Sequence, residues 1–472
     1  MRPTFIGLET MRRALQAHQK ALDVTGHNIA NAATPGYTRQ QVELSATRPY
    51  TPPGIVRLVR PGQIGTGVEA ARVRRVFDGF IENRIRLAKS GLGRWDQLKA
   101  AIDEVNATFN DPSDVGLGDA FSRFWNAWQE LSKRPDSEAA RAVLIEEADG
   151  FCAILNRASK RLNDLMLDLE SSLNAKVDEV NSLGHEIAEL NEEIAKIKVT
   201  GNEPNDLMDK RDIAIARLAQ IVNISTFEEK DGSINVQIGG VDLVRRSNAH
   251  EIKLKPGSSL ASSTVVWAKD NAAVNITAGE MAGILEARDE AVPEYLGRLD
   301  KIAEKVIAEV NSLHKTGYGL DDTTLQSRDF FVGTNAGNIK VSDDLKADPR
   351  KIAAAAVPEA PGDGAVAKAI AELKDKLTMG GDPPTLTFTG YYSETITMLG
   401  NEGQTAERMS DIEKLALQQH TNRKESFSGV SVDEELANMM KYQHAYNAAA
   451  RMVTTIDEML DTIINRTGIV GR

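Results

Sequence analysis

The chain has 472 residues, roughly three domains' worth at about 150 residues each, and its 56 Lys and Arg against 68 Asp and Glu leave a net charge of −12. Hydrophobic residues make up 41% and aromatic residues 5% of the chain. That excludes a collagen-like or highly charged disordered chain and leaves the core to Leu, Ile, Val, Met and Ala, which helices accommodate well. The single cysteine, Cys152, permits neither an intramolecular disulfide nor a cysteine-rich zinc site. No stretch approaches the about 18 uncharged apolar residues of a membrane span, and Met1 to Phe5 lacks the apolar run of a secretory signal peptide. Neither membrane insertion nor signal-peptide export is expected. Residues 1 to 86 hold 13 basic against 6 acidic side chains, net +7, so the remainder carries −19, and opposite ends of the chain are predisposed to attract.

In chain order, Thr4 to Asn31 reads as one amphipathic helix preceded by Pro3, with Leu8, Leu15, Leu22 and Ile29 spaced by sevens and Met11 beside them. His18 and Thr25 occupy the other heptad core positions, so this seam is narrow and needs a partner helix. Gly36 and the Pro/Gly run from Pro49 to Gly67 break the period, leaving an extended connector with short strand-like pieces such as Ile55 to Val59. Helical patterning returns near residue 76 and, past a loop around Asn110 to Gly118, runs to about residue 199. Its last part, Leu162 to Ile197, is a rod of about 50 Å. A second helix spans Leu207 to Val222.

From Asn223 the pattern alternates: Ile224 to Phe227, the turn Asp231-Gly232-Ser233, and Ile234 to Ile238 read as strands, continuing through Val241 to Leu254 and Thr264 to Trp267. Gly279 introduces another long helix to His314. Residues 317 to 390 are mixed, with helical pieces expected at Asp348 to Val357 and Ala365 to Leu377. From Ser393 the chain is helical to Asn465 with a break near Ser426 to Gly429. It restarts at the capping box Ser431-Val432-Asp433-Glu434, behind which Leu436, Met439, Gln443, Tyr446, Ala450, Val453, Ile456, Leu460 and Ile463 trace one face.

The predicted fold is therefore mainly α with a β insert: an elongated multi-domain hairpin whose marginal terminal helices stabilise each other. We expect a terminal assembly domain from 1–36 with 430–472, a helical rod domain from 37–222, 279–316 and 391–429, a β-rich outer domain at 223–278, and a mixed α/β segment at 317–390. The expected assembly interface is Leu8, Met11, Leu15, Leu22, Ile29, Leu436, Met439, Gln443, Tyr446, Ala450, Val453, Ile456 and Leu460. Exposed apolar seams of this kind imply neighbours, and self-assembly is the leading expectation.

Motifs for catalysis fail one by one. His185-Glu186 opens like a zinc-protease helix, but no second histidine is near. Gly65-Thr66-Gly67 lacks the third glycine of a dinucleotide loop, and Ser428-Gly429-Val430-Ser431 lacks the glycine of a nucleophile elbow. Asp231-Gly232-Ser233 is followed by a strand without the oxygen ligands of a calcium loop. Cys152 reads as a small buried hydrophobe, and Trp125 and Trp128 as anchors of one helix on another. The arginines at 72, 74, 75, 84 and 86 read as a solvated or acid-pairing face, with no nucleic-acid motif around them. The chain is expected to be no enzyme and to use no cofactor or metal.

Two segments resemble bacterial flagellar rod, hook and hook-associated proteins. One is Gly26-His27-Asn28-Ile29-Ala30-Asn31-Ala32-Ala33-Thr34-Pro35-Gly36-Tyr37, where Asn28, Ala30, Asn31, Thr34, Pro35, Gly36 and Tyr37 carry the N-terminal motif. The other is Ser428 to Leu436 followed by Tyr442 to Tyr446 and Ala450 to Val453, similar to the same families' C-terminal helix. In the middle, Pro204 to Asp212, Gly283 to Asp289 and Val310 to His314 resemble the hook-associated family that forms the first hook–filament junction. The resemblance implies a structural junction ring, with the hook protein and the second junction protein as axial neighbours. It also implies flagellar type III export without a cleaved signal peptide, an export chaperone on the C-terminal helix, and an extracellular location. A hook- or rod-type axial protein, an adhesin acting through the β insert, and an enzyme carried by 317–390 are the alternatives.

Overall fold

The computed structural model describes residues 5–50, 65–109, 116–258 and 261–466. The strand-like Ile55 to Val59 and most of the loop after Asn110 lie outside them. The accessible surface is 25617 Å², against about 17,000 Å² for a compact monomer of this mass. The expected elongation is present.

The first helix, α1 (Ile6–Ala30), is followed by β1 (Gln40–Ala46) and β2 (Val68–Arg75). The connector expected here is instead an antiparallel hairpin, Gln40 pairing with Arg75 and Ala46 with Val68. Val42 is the one strongly apolar inward position of β1, and it closes a small cluster with Ala21 and Val24 of α1. With only Gln40 and Val42 buried in β1 and no residue fully buried in β2, the alternation that marks a sheet is nearly invisible in the sequence.

Then come α2 (Gly79–Phe109), α3 (Leu117–Lys133), α4 (Glu138–Val199) and α5 (Asn205–Ile221). At 62 residues, α4 is about 90 Å long. Ser137 caps it by accepting from Ala140 N, and its apolar positions, among them Leu144, Phe151, Leu162, Leu173, Val180 and Ile187, are buried along its length.

A four-stranded antiparallel sheet follows, β3 (Ser225–Glu228), β4 (Ile234–Ile238), β5 (Val241–Arg245) and β6 (Asn248–Ala249), then a hairpin of β7 (Ile252–Lys255) and β8 (Thr264–Trp267). Both lie against α4, held by two asparagines whose amides copy a backbone pair. Asn181 donates to Ile252 O at 2.8 Å and accepts from Ile252 N at 2.9 Å, and Asn191 does the same with Ile234.

Helices α6 (Glu280–Glu286) and α7 (Val292–His314) join through a π-helical turn at Ala287–Ala291. Pro293 follows it, and the wider turn accommodates a ring that has no N–H and would strike the preceding turn. The remaining elements are β9 (Phe331–Val332), β10 (Lys340–Val341), α8 (Asp343–Ala347), α9 (Ala365–Ala371), α10 (Phe388–Ser428) and α11 (Val432–Asp461), the last running into a π-helical turn to Arg466.

Residues 348 to 357 are not the helix that their composition suggests, apart from a 3₁₀ turn at Pro349–Lys351. Ile352 to Ala355 are buried in extended form, Ala353 N donating to His314 Nε2 and Ala355 pairing with Tyr318. Helix α9 likewise stops at Ala371, six residues short of the expected Leu377.

The chain folds back on itself twice. Helix α2 pairs antiparallel with α10 through Glu82–Lys424, Gly91 against Glu413, and Asp96–Ser410. Helix α1 pairs antiparallel with α11, Gly7 lying against Ile456 and the His18 ring 6.4 Å from Tyr442. The main core sits where α3 crosses α4. Phe124 stacks on Phe151 with centroids 5.4 Å apart, and Trp128 packs on Phe330 at 5.0 Å. Trp125 and Trp128 are both buried there as helix anchors.

Candidate assembly site at the terminal helices

Helix α1 stops at Ala30, with Asn31 donating its amide back to His27 O. Thr34 Oγ1 then bonds Asn31 Oδ1 and Tyr37 N bonds Thr34 O, so the chain reverses across Pro35 and Gly36. Gly36 has φ +79°, where a side chain is strained, and a Cβ there would meet Ile213 at 2.5 Å. The reversal brings Tyr37 onto α1, its ring edge-on to His27 and its hydroxyl donating to Asn28 Oδ1 at 2.8 Å.

Asn28 is 1% exposed, and every polar atom of its amide is used. Oδ1 also accepts from Gln40 N at 3.0 Å, while Nδ2 donates to Gln40 O at 2.8 Å and to Glu435 Oε2 at 3.0 Å. Glu435 belongs to the first turn of α11 and is buried. The Arg39 guanidinium neutralises it at 2.7 Å and reaches Glu434 at 3.1 Å. Ser431 caps α11 by accepting from Glu434 N, but only half of the capping box forms, because the Glu434 carboxylate goes to Arg39. Burial and the nearby carboxylates of Asp206, Asp209 and Glu435 push the Tyr37 phenol well above its ordinary range, so it stays a donor.

The network continues into the helical body. Gln40 donates to Asp206 at 2.7 Å and accepts from Asn205 at 3.2 Å. Asp209 accepts from Thr38 N at 3.0 Å and from Arg75 at 2.6 Å, and Arg75 also reaches Asp212 at 2.8 Å. Asp206, Asp209 and Asp212 recur every three residues on α5, with Asn205 beside the first, and so lie along one side of it. The basic N-terminal segment is thus an acid-pairing surface, as its composition suggests. The polar joint locks α1, the β1–β2 hairpin, α5 and α11 together.

The expected interface residues divide. On α1 the buried positions are Ala17, Ala21, Val24, Thr25 and Asn28, whereas Leu8, Met11, Leu15, Leu22 and Ile29 stay partly exposed. On α11 Met439, Tyr446, Ala450, Val453, Ile456 and Leu460 are partly buried, Gln443 is exposed and Leu436 is 45% exposed. Val432, Met440, Met452, Met459 and Ile463 add further apolar surface, as do Ile412, Leu415 and Phe427 of α10. Ala30, Thr34, Pro35 and Gly36 of the motif face solvent. Arg39 and Gln40 carried no signal in the sequence, and Arg75, Asp206, Asp209 and Glu435, though inside segments that stood out there, were not assigned to a joint. The pattern Asn205-Asp206-Asp209-Asp212 was the available signal.

Elsewhere, His185 bonds Glu251 at 3.1 Å, Asp231 closes its turn by accepting from Ser233, and Cys152 is buried. Among the described residues no group of three or more His, Cys, Asp or Glu is placed to hold a metal ion, and no helix is long and apolar enough to cross a membrane.

Known proteins match along the whole chain. The family described as flagellar hook-associated protein FlgK helical domain matches residues 102–331. The families described as flagella basal body rod protein and flagellar basal body rod FlgEFG protein C-terminal match residues 8–38 and 425–466, the two arms of the joint. Flagellar hook-associated protein 1 of Bacillus subtilis is 32% identical, the match covering 100% of each chain. The chain belongs to the flagellar hook-associated protein 1 family. Its Escherichia coli relative is 25% identical over 96% of this chain and 98% of that one. The flagellar hook junction protein FlgK of Burkholderia pseudomallei shares the fold, with a TM-score of 0.64 and 14% identity over 73% of this chain and all of that one. As a hook-associated protein this chain is a structural component of the bacterial flagellum.

Proposed function

We propose that the chain joins hook to filament by assembling as a ring through α1 and α11, and that it is not an enzyme. The observation that carries this reading is the antiparallel pairing of α1 with α11, which uses small residues inside and leaves large apolar side chains outside: Leu436 at 45% exposure, Met440 at 58% and Ile463 at 58%. A monomer gains nothing from such a surface, whereas a ring of copies covers it. Leu8, Met11, Leu15, Leu22 and Ile29, each partly exposed, complete the interface. Residues 1–36 and 430–472 form the assembly domain, and the strands at 223–278 lie outermost.

In this reading the axial neighbours are the hook protein and the second junction protein. The exposed C-terminal helix is held by a flagellar export chaperone before assembly, and the chain passes through the flagellar export channel to its extracellular position.

Amide hydrogen exchange on the free chain and on isolated hook–filament junctions tests this. Residues 6–30 and 432–461 exchange faster than α4 in the free chain and become protected in the junction. Equal protection of all three in the free chain, unchanged on assembly, overturns the proposal.

A further inference from the structure

The joint borders a cavity of about 590 Å³ between β2, the first turns of α2, α5 and β3. Three buried guanidiniums line it, those of Arg75, Arg86 and Arg211. Two carboxylates serve them. Arg75 binds Asp209 and Asp212, and Arg86 binds Asp212 at 3.3 Å and Thr226 Oγ1 at 3.2 Å. Arg211, 1% exposed, meets only neutral acceptors, Asn191 Oδ1 at 2.9 Å and Gly232 O at 2.7 Å.

The cluster therefore carries one positive charge that no buried carboxylate among the described residues balances. Of the other acids at the cavity, Glu82 pairs with Lys424, while Glu203 and Glu228 sit more exposed near Lys198, with Glu228 reaching Arg211 only through its field and not by a hydrogen bond. Moreover, the Nε atoms of both Arg86 and Arg211 are buried donors without a partner among the described residues. An unpaired buried cation is strongly unfavourable, and burial pulls the Arg211 guanidinium down to about 10. Arg74 extends the positive lining, beside Arg72 in its ion pair with Glu43.

We infer that this cavity is an oxyanion site, in which Arg211 and Arg86 donate to one phosphate, sulfate or carboxylate group. Guanidinium donors match such oxygens in charge and spacing, and one bound anion neutralises the cluster. The oxyanion has two sources, a free inorganic ion or a carboxylate presented by another copy of the chain.

The test is calorimetric titration of the full-length chain with inorganic phosphate, and separately with acetate, at ionic strength held constant with chloride. Saturable binding of one phosphate, with a melting temperature raised by a few degrees at saturation, identifies a free-ion site. Saturation by acetate but not phosphate identifies a carboxylate site. In either case binding is lost in Arg211→Met, which removes the charge at similar volume, and weakens about tenfold in the exposed Arg74→Ala variant. The second variant serves if the first does not fold. Failure of both anions to bind saturably, or undiminished binding in a folded Arg211→Met chain, overturns the inference.

Discussion

Replacing Asn28 by aspartate tests whether one amide holds the two ends of the chain to each other. The substitution is nearly isosteric and keeps Oδ1, so the bonds from Tyr37 and Gln40 N survive. It replaces Nδ2, which donates to Gln40 O and Glu435, by a second carboxylate oxygen 3.0 Å from the Glu435 carboxylate. Losing a buried hydrogen bond to a charged group costs about 1.5–3 kcal/mol, and the stranded Gln40 carbonyl and like-charge repulsion add to it. Arg39, at 2.7 Å from Glu435, offsets part of the repulsion. The expected local destabilisation is about 3 kcal/mol, or about a hundredfold in the open population of α11. Native-state proteolysis measures this directly, with cleavage within α11 about a hundredfold faster at pH 7. The double variant Asn28→Asp with Glu435→Gln regains part of the loss, since the glutamine amide supplies a donor to the new aspartate and removes the repulsion, while the Gln40 carbonyl stays stranded. A single variant cleaved at the parent rate, or a double variant no better than the single one, refutes the role given to this amide.

Other consequences are as sharp. His314 is buried, its Nδ1 donating to Arg328 O and its Nε2 accepting from Ala353 N, an arrangement open only to the neutral ring; burial holds its pKa down to about 4. Its contribution is complete above the unfolded value near 6.5 and is lost as pH falls toward 4, about 3 kcal/mol in all; urea unfolding against pH shows this slope, and His314→Gln flattens it. Burial, with Asp149 nearby, pushes the Cys152 thiol up to about 12, so iodoacetamide labels the native chain about a thousandfold more slowly than the unfolded one, read by mass spectrometry. Trp128→Ala opens a cavity between α3 and Phe330 and costs about 3–5 kcal/mol in the same unfolding assay.

Local signals in the sequence located most of the helices. The spacing of Leu162 to Ile197 marked part of α4, and Ser431 with Glu434 marked the start of α11 within a residue. The return of the chain on itself followed from two marginal helices needing each other. The β1–β2 hairpin was not legible, because its only buried apolar residue in β1 is Val42 and its ends are tied by Gln40 and Arg75 to acids of the distant α5. Residues 352 to 355 defeated helix propensity because tertiary partners, His314 and Tyr318, take their backbone groups. The joint itself was half visible. Asn28 and Tyr37 stood out as a motif, yet Asn28 meets Glu435 across 407 residues of sequence, and no local pattern encodes such a pairing.

The outer face of α11 is the place to test the assembly claim. In a flagellated strain lacking its hook-associated protein 1, the unaltered chain and its Leu436→Asp variant are expressed and flagella are examined by electron microscopy, with the culture medium assayed for secreted protein. Leu436 is 45% exposed, so the aspartate leaves the free chain folded while placing a charge on the surface that neighbours cover. The unaltered chain is expected to give filaments on hooks, and the variant bare hooks with the secreted chain in the medium. Normal filaments on hooks carrying the variant would contradict assembly through this face.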